Sequence, residues 1–158
     1  MTGSDVDVAQ LLRTVQQLQD RVALEDLVKR YALACDARGD ADLLRTTFTE
    51  DAVGTYATDA PLVGADAIIK WIGMMTESAV WQQHMISPYS YDIDGDSAQV
   101  VAYLISHQNF RANRDVTTMM SSRYTLQCVR TDAGWRIKEL QLQVGWIESR
   151  YGDQSKLP

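Results

Sequence analysis

The sequence predicts an α+β fold, and three observations lead to it. Apolar residues recur at helical spacing through the first half of the chain. After Trp81 the pattern changes to segments rich in Val, Ile, Tyr, Thr and Trp, with compact turn signals between them. Helices gathered first and strands gathered later favour helices that pack on one face of a curved sheet.

Three helices are predicted. The first covers about residues 8–37, where apolar residues recur every three or four positions, and Gly39 is a natural stop for it. The second is the short segment 40–48, with Asp40 as its N-cap. The third covers 64–78 and has an apolar stripe that should face the core. That stripe consists of Ile68, Ile69, Ile72 and Met75.

Strands account for the second half of the chain, and one short strand is predicted earlier, at 52–56. Three turn signals, DGDS, NRD and TDAG, separate four segments of high β propensity. These segments are predicted to form an antiparallel meander, and they cover residues 82–93, 98–112, 117–130 and 135–147.

Length and charge narrow the range of functions. The 158 residues are predicted to form one domain, with a core at about 20–147, a helical N-terminal extension at 1–19 and a polar tail at 148–158. The net charge of −6 would repel phosphate backbones and anionic lipids, so we expect no nucleic acid and no membrane as partner. The two cysteines lack metal-binding spacing and the first residues do not resemble a targeting peptide, which favours a cytoplasmic location.

The chain has only two histidines, His84 and His107, one on each side of the DGDS turn. If residues 94–97 form a four-residue loop, the two histidines lie directly opposite each other on one face of a hairpin. A one-residue slip, for instance at a bulge near Pro88, would place them on opposite faces.

The side of the sheet on which His107 lies decides what it can do. His107 alternates with Val101, Tyr103 and Ile105, the less polar set of its strand, so we expect it to point inward. Two such histidines form a catalytic pair or a surface pair, or they are buried rings whose nitrogens hydrogen-bond to backbone groups.

Asp36 is the candidate partner of these imidazoles. It follows an apolar run near the end of the first helix, where the helix dipole disfavours an acid. Its position therefore has one of two reasons: a bond to Arg38 or to the following loop, or a catalytic role. Tyr31 lies on the same helix, five residues earlier.

Taken together, these segments resemble the SnoaL-like branch of the nuclear transport factor 2 superfamily. The resemblance covers about residues 20–147 and rests on ALEDLVKRYALACDARGDADLLRTTFTEDAV, GADAII, QQHMIS, DIDGDSAQVVAYL and RYTLQCVRTDAGWRIKELQLQVGW, in that order. It implies a cone-shaped, cystatin-like fold, in which three helices pack into the concave face of a bent, mainly antiparallel sheet around a deep apolar pocket. It also implies a homo-oligomer, a dimer or trimer, that packs through the sheet, with Leu140, Leu142 and Val144 as candidates for the outward face.

Within this family the site residues are most similar to those of scytalone dehydratase and bile-acid 7α-dehydratase. Asp36 and His84 match an aspartate and a histidine that both enzymes share. Tyr31 matches a tyrosine of the bile-acid enzyme, while His107 and Tyr56 match a second histidine and a substrate-facing tyrosine of scytalone dehydratase. The lysine and arginine of hexachlorocyclohexane dehydrochlorinase cannot be placed in this sequence, which disfavours halide elimination.

The residues and the resemblance together predict a cofactor-free lyase, a dehydratase of secondary metabolism. Its substrate would be a hydrophobic, ring-containing small molecule such as a polyketide, terpenoid or steroid. His84, held by Asp36, would act as general base or acid, and His107 would protonate the departing oxygen. Tyr31 would hydrogen-bond the carbonyl or leaving hydroxyl. The predicted substrate-binding residues, each of which also fits plain core packing, are Tyr56, Trp71, Tyr103, Tyr124 and Trp146.

Three alternatives stay open at this stage. A polyketide-type cyclase or isomerase would use the same base, and a non-catalytic ligand-binding or assembly module would need none. Two histidines and an aspartate could also form a facial triad for iron. An orienting role of Asp36 accounts for the same residues, so no metal is expected.

Overall fold

The computed structural model describes residues 7–110 and 113–151, and the side chains of all of these except 113–115. Three helices and six strands are present in these ranges. The helices are α1 (Val8–Asp36), α2 (Ala41–Arg45) and α3 (Ala65–Thr76). The strands are β1 (Phe48–Thr55), β2 (Leu62–Val63), β3 (Ala79–Asp94), β4 (Ser97–Phe110), β5 (Asn113–Thr131) and β6 (Gly134–Tyr151).

The three predicted helices are confirmed, and local capping explains where they begin and end. The Asp7 carboxylate accepts hydrogen bonds from the backbone N–H groups of Ala9 and Gln10 and starts α1. After Asp36 the chain turns through Gly39, which has a φ of 73° that favours glycine. Asp40 is the predicted N-cap of α2, and its carboxylate accepts from the Leu43 N–H at 3.0 Å.

The strands form one mixed sheet in the order β2-β1-β6-β5-β4-β3. The β3–β6 meander is antiparallel as predicted, and β1 pairs in parallel with β6. The predicted α+β fold is therefore confirmed. Three details of the prediction are wrong. β2 lies where only a loop was expected, and the NRD segment belongs to β5, because that strand begins at Asn113. The second helix ends at Arg45 instead of residue 48, and Phe48 begins β1.

A bulge in β3 changes the register of the first hairpin. Near the turn, Asp94 pairs with Ser97, as the predicted register requires. Tyr89 is then an extra residue in β3 without a counterpart in β4, because Pro88 and Ser90 pair with adjacent residues. From Pro88 back to Trp81, each pairing is displaced by one position.

This displacement separates the two histidines. His84 pairs with Ser106, whereas His107 pairs with Gln83. Since neighbouring residues of a strand point to opposite faces, His84 and His107 lie on opposite sides of the sheet. The expectation that they face each other, and that His107 points inward, is wrong.

The helices cover the inner face of the sheet. The chain buries an apolar core between α1, α3 and the alternating inward residues of β3–β6. Its largest fully buried side chains include Leu24, Leu27, Leu44, Ile68, Leu104, Leu126, Ile137 and Leu140. At about 25 cal/mol per Å² of apolar area removed from water, this burial is the main force that holds the helices on the sheet.

The outer face of the sheet remains exposed and is partly apolar. Met85, Ile105 and Trp146 share one row across the strands, and 56%, 47% and 45% of their surfaces are exposed. Leu140 is buried instead of outward-facing, which corrects the candidates for an oligomer interface. Leu142 packs against the core as well, and Val144 lines a cavity inside it. The homo-oligomer itself stays a prediction.

Within the described ranges, no helix combines the length and the apolar character needed to cross a bilayer. Residues 1–6 of the predicted extension and 152–158 of the predicted tail lie outside those ranges.

Candidate active site

A cavity of about 340 Å³ lies between α1, α3 and the inner face of β3–β6. Most of its lining is aliphatic, aromatic or sulfur-containing, and the lining residues include no Lys, Arg, Asp or Glu among those that the structure describes. Such a cavity favours a neutral, apolar ligand that is held in orientation by a few polar groups. The polar side chains in the wall are Tyr31, Tyr56, Thr76, His84, Gln108, Thr118 and Tyr124.

Asp36 and His84 form a hydrogen-bonded pair at this wall. Asp36 is the last residue of α1 and His84 lies on the inner face of β3, where its Nδ1 is 2.7 Å from the Asp36 Oδ1. The His84 side chain is 9% exposed and that of Asp36 is 30% exposed. Because an ionised carboxylate only accepts hydrogen bonds, Nδ1 is the nitrogen that carries the proton in this contact. The unprotonated Nε2 of a neutral ring is then available as a base.

Gln82 holds the end of α1 on which Asp36 lies. Its side chain is buried, and its Nε2 donates to the carbonyl oxygens of Cys35 at 2.5 Å and Asp36 at 3.3 Å. The Gln82 Oε1 is buried and has no hydrogen-bond partner among the described residues. The Gln82 amide therefore fixes two carbonyl groups at the helix terminus, although its own buried oxygen has no hydrogen-bond partner there, which is unfavourable. Sequence analysis did not find this residue.

Three tyrosines meet at the inner end of the cavity. The Tyr31 hydroxyl lies 3.2 Å from that of Tyr56 and 3.5 Å from that of Tyr124. All three side chains are buried, and burial raises the pKa of each phenol well above its usual range. The phenols thus stay protonated at neutral pH. Two contacts use at most two of the three hydroxyl protons, which leaves at least one that these contacts do not use.

Aromatic packing shapes the wall beside this cluster. The rings of Tyr56 and Trp71 lie 4.4 Å apart between centroids, with an interplanar angle of 31°. Gly54 makes the approach of Tyr56 possible, because a Cβ atom there would lie only 2.7 Å from the Tyr56 ring. The side of the cavity that Trp71 and Tyr56 form is therefore flat, rigid and apolar.

Three of the predicted site residues do not reach the cavity. His107 and Tyr103 lie on the outer face because the other alternate set of β4, from Ala98 to Ser106, is the buried one. Tyr103 packs there against Tyr89, with 5.4 Å between ring centroids. Trp146 follows a second bulge, at which Gly145 is the extra residue of β6, and it also faces outward. In contrast, Tyr31, Tyr56, Trp71, His84 and Tyr124 all line the cavity, and Asp36 contacts it through His84.

Several lining residues were missed by sequence analysis. Cys35, one turn after Tyr31, lies in the wall, and burial raises the pKa of its thiol to about 12, so it remains a neutral thiol. Gln108 and Thr118 pair across β4 and β5 and both line the cavity. Alternation along β4 would have found Gln108, but the opposite alternate set, which contains Tyr103 and His107, was predicted to face inward.

Sequence comparison identifies the family. The model of the SnoaL-like domain matches residues 16–141. The chain belongs to the SnoaL-like family. An uncharacterized protein of Mycobacterium tuberculosis (strain H37Rv) is 30% identical over 125 residues, which cover 78% of this chain and 84% of that protein.

Several solved structures have the same fold. One is a Novosphingobium aromaticivorans protein provisionally named a scytalone dehydratase, with a TM-score of 0.79 and 20% identity over 89% of this chain and 93% of that one. Another is an NTF2-like protein with a cystatin-like fold from the same species, with a TM-score of 0.74 and 21% identity over 90% and 92%. At these identities the likeness establishes the fold, which is NTF2-like.

Proposed function

We propose that this SnoaL-like chain is a lyase that removes water from a hydrophobic, ring-containing small molecule without a cofactor. The observation that carries the proposal is the 2.7 Å contact between Asp36 and His84 at the wall of an apolar cavity. The fold family includes dehydratases and isomerases, and one structural neighbour is provisionally named a scytalone dehydratase. Family membership thus supports enzymatic activity, and the side chains of this site support the proposed class of reaction.

His84 acts as the general base in this proposal. Its Nε2 takes a proton from a carbon next to a carbonyl group, and the electron pair of that C–H bond forms the new double bond. The C–O bond on the neighbouring carbon breaks, and its oxygen leaves as water after it receives a proton. Asp36 holds the ring in the Nδ1–H form and stabilises the imidazolium. General acid–base catalysis of this kind contributes about 10²–10⁴-fold.

The tyrosine cluster takes the role of electrophile and proton donor. Sequence analysis assigned the protonation of the leaving oxygen to His107, but that residue lies on the outer face of the sheet. Protonation by His107 and an iron site that shares His107 with His84 are therefore both ruled out on geometry. A phenol proton of Tyr31, Tyr56 or Tyr124 can instead bond to the carbonyl oxygen or the leaving hydroxyl, where negative charge develops.

The lining of the cavity supports a neutral substrate. No described lining residue carries a positive side chain that would pair with a carboxylate or phosphate. The Asp36 carboxylate behind His84 and the net charge of −6 also repel anions. A volume of about 340 Å³ is at the small end of ligand pockets, which suits a compact ring system.

The test is a substrate screen with matched variants. Wild-type protein is incubated in D₂O with neutral cyclic hydroxyketones, and products are followed by NMR and mass spectrometry. We expect loss of water from at least one compound. His84→Gln should abolish this activity, and His107→Gln should retain it, because these are the two histidines of the chain and only His84 lines the cavity. Full activity of His84→Gln would contradict the proposal.

The same experiment separates the alternatives. A cyclase or isomerase would produce deuterium incorporation or a rearranged product with no loss of water, and this too would depend on His84. A ligand-binding module would bind ring compounds with equal affinity in wild type and Asp36→Asn and would turn over none of them. Binding measured by titration calorimetry in parallel distinguishes that outcome from an unsuitable panel.

A further inference from the structure

The first half of α1 has an apolar stripe that none of the described residues covers. Apolar residues recur from Val8 to Val22 at alternating steps of three and four, the heptad spacing of a coiled coil. These seam residues are Val8, Leu11, Val15, Leu18 and Val22, and they are between 42% and 63% exposed. Leu12, next to the seam, is 64% exposed.

The stripe points away from the body of the protein. Asp20 and Leu24, which anchor α1 to the body, are buried, and each lies two positions after a seam residue. Two positions correspond to about 200° around the helix, so the buried face and the seam are on opposite sides. The same outward side becomes polar beyond Val22, where Glu25 and Lys29 form a salt bridge at 2.7 Å. The apolar stretch is therefore confined to one end of the helix.

The start of the helix also packs against nothing within residues 7–110 and 113–151. Every residue from 8 to 19 is exposed, so this segment has no packed side. Isolated helices shorter than about 12–15 residues are marginally stable in water. An exposed apolar seam on an unsupported helix is the arrangement that packing against another helix stabilises.

We propose that this seam is a homodimer interface, in which α1 of a second copy packs in parallel against residues 8–22. The seam has Val at its first heptad position and Leu at its fourth, and β-branched residues with Leu in that order favour two parallel strands. This interface is separate from the cavity and from the outer face of the sheet, and it does not depend on the proposed function.

Charges beside the seam fit the parallel arrangement. In a parallel pair, the seventh position of one heptad lies near the fifth position of the following heptad on the partner. Those positions are Arg21 and Asp26, so each copy would place an arginine near the second copy's aspartate. Arg21 now lies over the Tyr91 ring of its own chain, 5.2 Å from the centroid, and remains exposed. An antiparallel pair would not bring these opposite charges together.

Other charges do not oppose the contact. Residues 8–22 include only Arg13, Asp20 and Arg21 as charged side chains, and Asp20 is already paired with Arg130. Two copies of this segment therefore meet with little repulsion, although the whole chain has a net charge of −6. The bodies would lie on the far sides of the helix pair, because the seam faces away from them.

Disulfide cross-linking of the full chain tests the interface and its direction. Leu18→Cys places a thiol in the seam, and Gln17→Cys places one on the same turn but off the seam. The native Cys35 and Cys128 are buried and serve both variants as a common background. We expect Leu18→Cys, and equally Leu11→Cys, to cross-link to itself at least about tenfold faster than Gln17→Cys, since a disulfide requires close Cβ atoms. Equal rates in the three variants would overturn the proposal.

Sedimentation velocity provides the second readout. Leu18→Glu should halve the mass of the assembly at micromolar concentration, whereas Gln17→Glu, which adds the same charge on the same helix turn, should leave it unchanged. An unaltered mass of Leu18→Glu, or a wild-type monomer at all concentrations, would show that the seam does not pair. If only Leu11→Cys mixed with Leu18→Cys cross-links, the pairing is antiparallel and the proposed arrangement is wrong.

Discussion

Replacement of Asp36 by Asn should change which nitrogen of the neutral His84 ring carries the proton. In the wild type, the His84 Nδ1 lies 2.7 Å from a carboxylate oxygen that can only accept a hydrogen bond. The contact therefore favours the ring form that has its proton on Nδ1. The Asn amide can accept through its oxygen or donate through its nitrogen, so the variant no longer selects one form of the ring.

The size of the effect follows from the burial of the pair. Hydrogen bonds to charged groups contribute about 1.5–3 kcal/mol. The Asp36 side chain is 30% exposed, so solvent screening favours the lower end of that range. About 1.5 kcal/mol corresponds to a factor of about ten between the two ring forms. We expect about nine in ten wild-type molecules to have the proton on Nδ1, and a mixture of both forms in Asp36→Asn.

Long-range ¹H–¹⁵N correlation spectra of the uncharged histidines measure this ratio, because the protonated and unprotonated ring nitrogens resonate far apart. His107 is an internal reference: it lies on the outer face of the sheet, and its spectrum should be the same in both proteins. A wild-type His84 with its proton on Nε2, or a ring form that Asp36→Asn leaves unchanged, would refute the role assigned to Asp36.

Three further predictions concern groups around the site. Asp20→Asn should lower the free energy of unfolding by about 1–3 kcal/mol at pH 7, since Arg130, which donates to the Asp20 carboxylate at 2.8 Å, would lose its negatively charged acceptor. That hydrogen bond lowers the pKa of Asp20, so its stabilisation is present above the ordinary Asp pKa of about 3.9 and is lost as the pH falls through the lower folded value. Urea unfolding should accordingly depend less on pH below 4 in the variant, and an unchanged slope would contradict the assignment. Gln82→Leu should loosen the end of α1 and give a mixture of the two ring forms of His84, whereas Gln83→Leu, at the neighbouring exposed glutamine, should leave the ring form unchanged. Identical His84 spectra in the wild type and Gln82→Leu would exclude a positioning role for Gln82. In an alkaline titration followed by tyrosinate absorbance, the three cavity tyrosines should ionise only above the ordinary range near pH 10, together with unfolding, because burial raises their pKa; early ionisation of all seven tyrosines would argue against a closed cluster.

The contact between Asp36 and His84 illustrates what could be expected before the structure. A carboxylate near a helix C-terminus opposes the helix dipole, and this unusual position pointed to a partner elsewhere in the fold. The resemblance to SnoaL-like proteins supplied that partner as His84, and the structure has the two in contact. The catalytic role of the pair stays a prediction until a substrate is found.

His107 illustrates a residue for which the sequence pattern favoured the wrong face. It was expected to point inward because its alternate set in β4 is the less polar one, but the other set, from Ala98 to Ser106, is buried. The slip near Pro88, stated as the alternative, is the register that forms. One extra residue in β3 reverses the face of every residue beyond it, and Gly145 does the same in β6. Tyr103 and Trp146 were misplaced together with His107, because period-two alternation contains no signal for the face itself.

The sequence alone determined the order and type of the elements, the net charge and the likeness to a family, since these depend on residue type and on spacing within short windows. Only the tertiary structure decided which side chains share the cavity. Gln82, Gln108 and the Tyr31 cluster come together from elements far apart in the chain, and the bulge in β3 sets the face on which Gln82 lies. Pro88 marked a candidate place for this bulge. Whether a bulge forms depends on the packing of the paired strands and helices, which no local pattern contains.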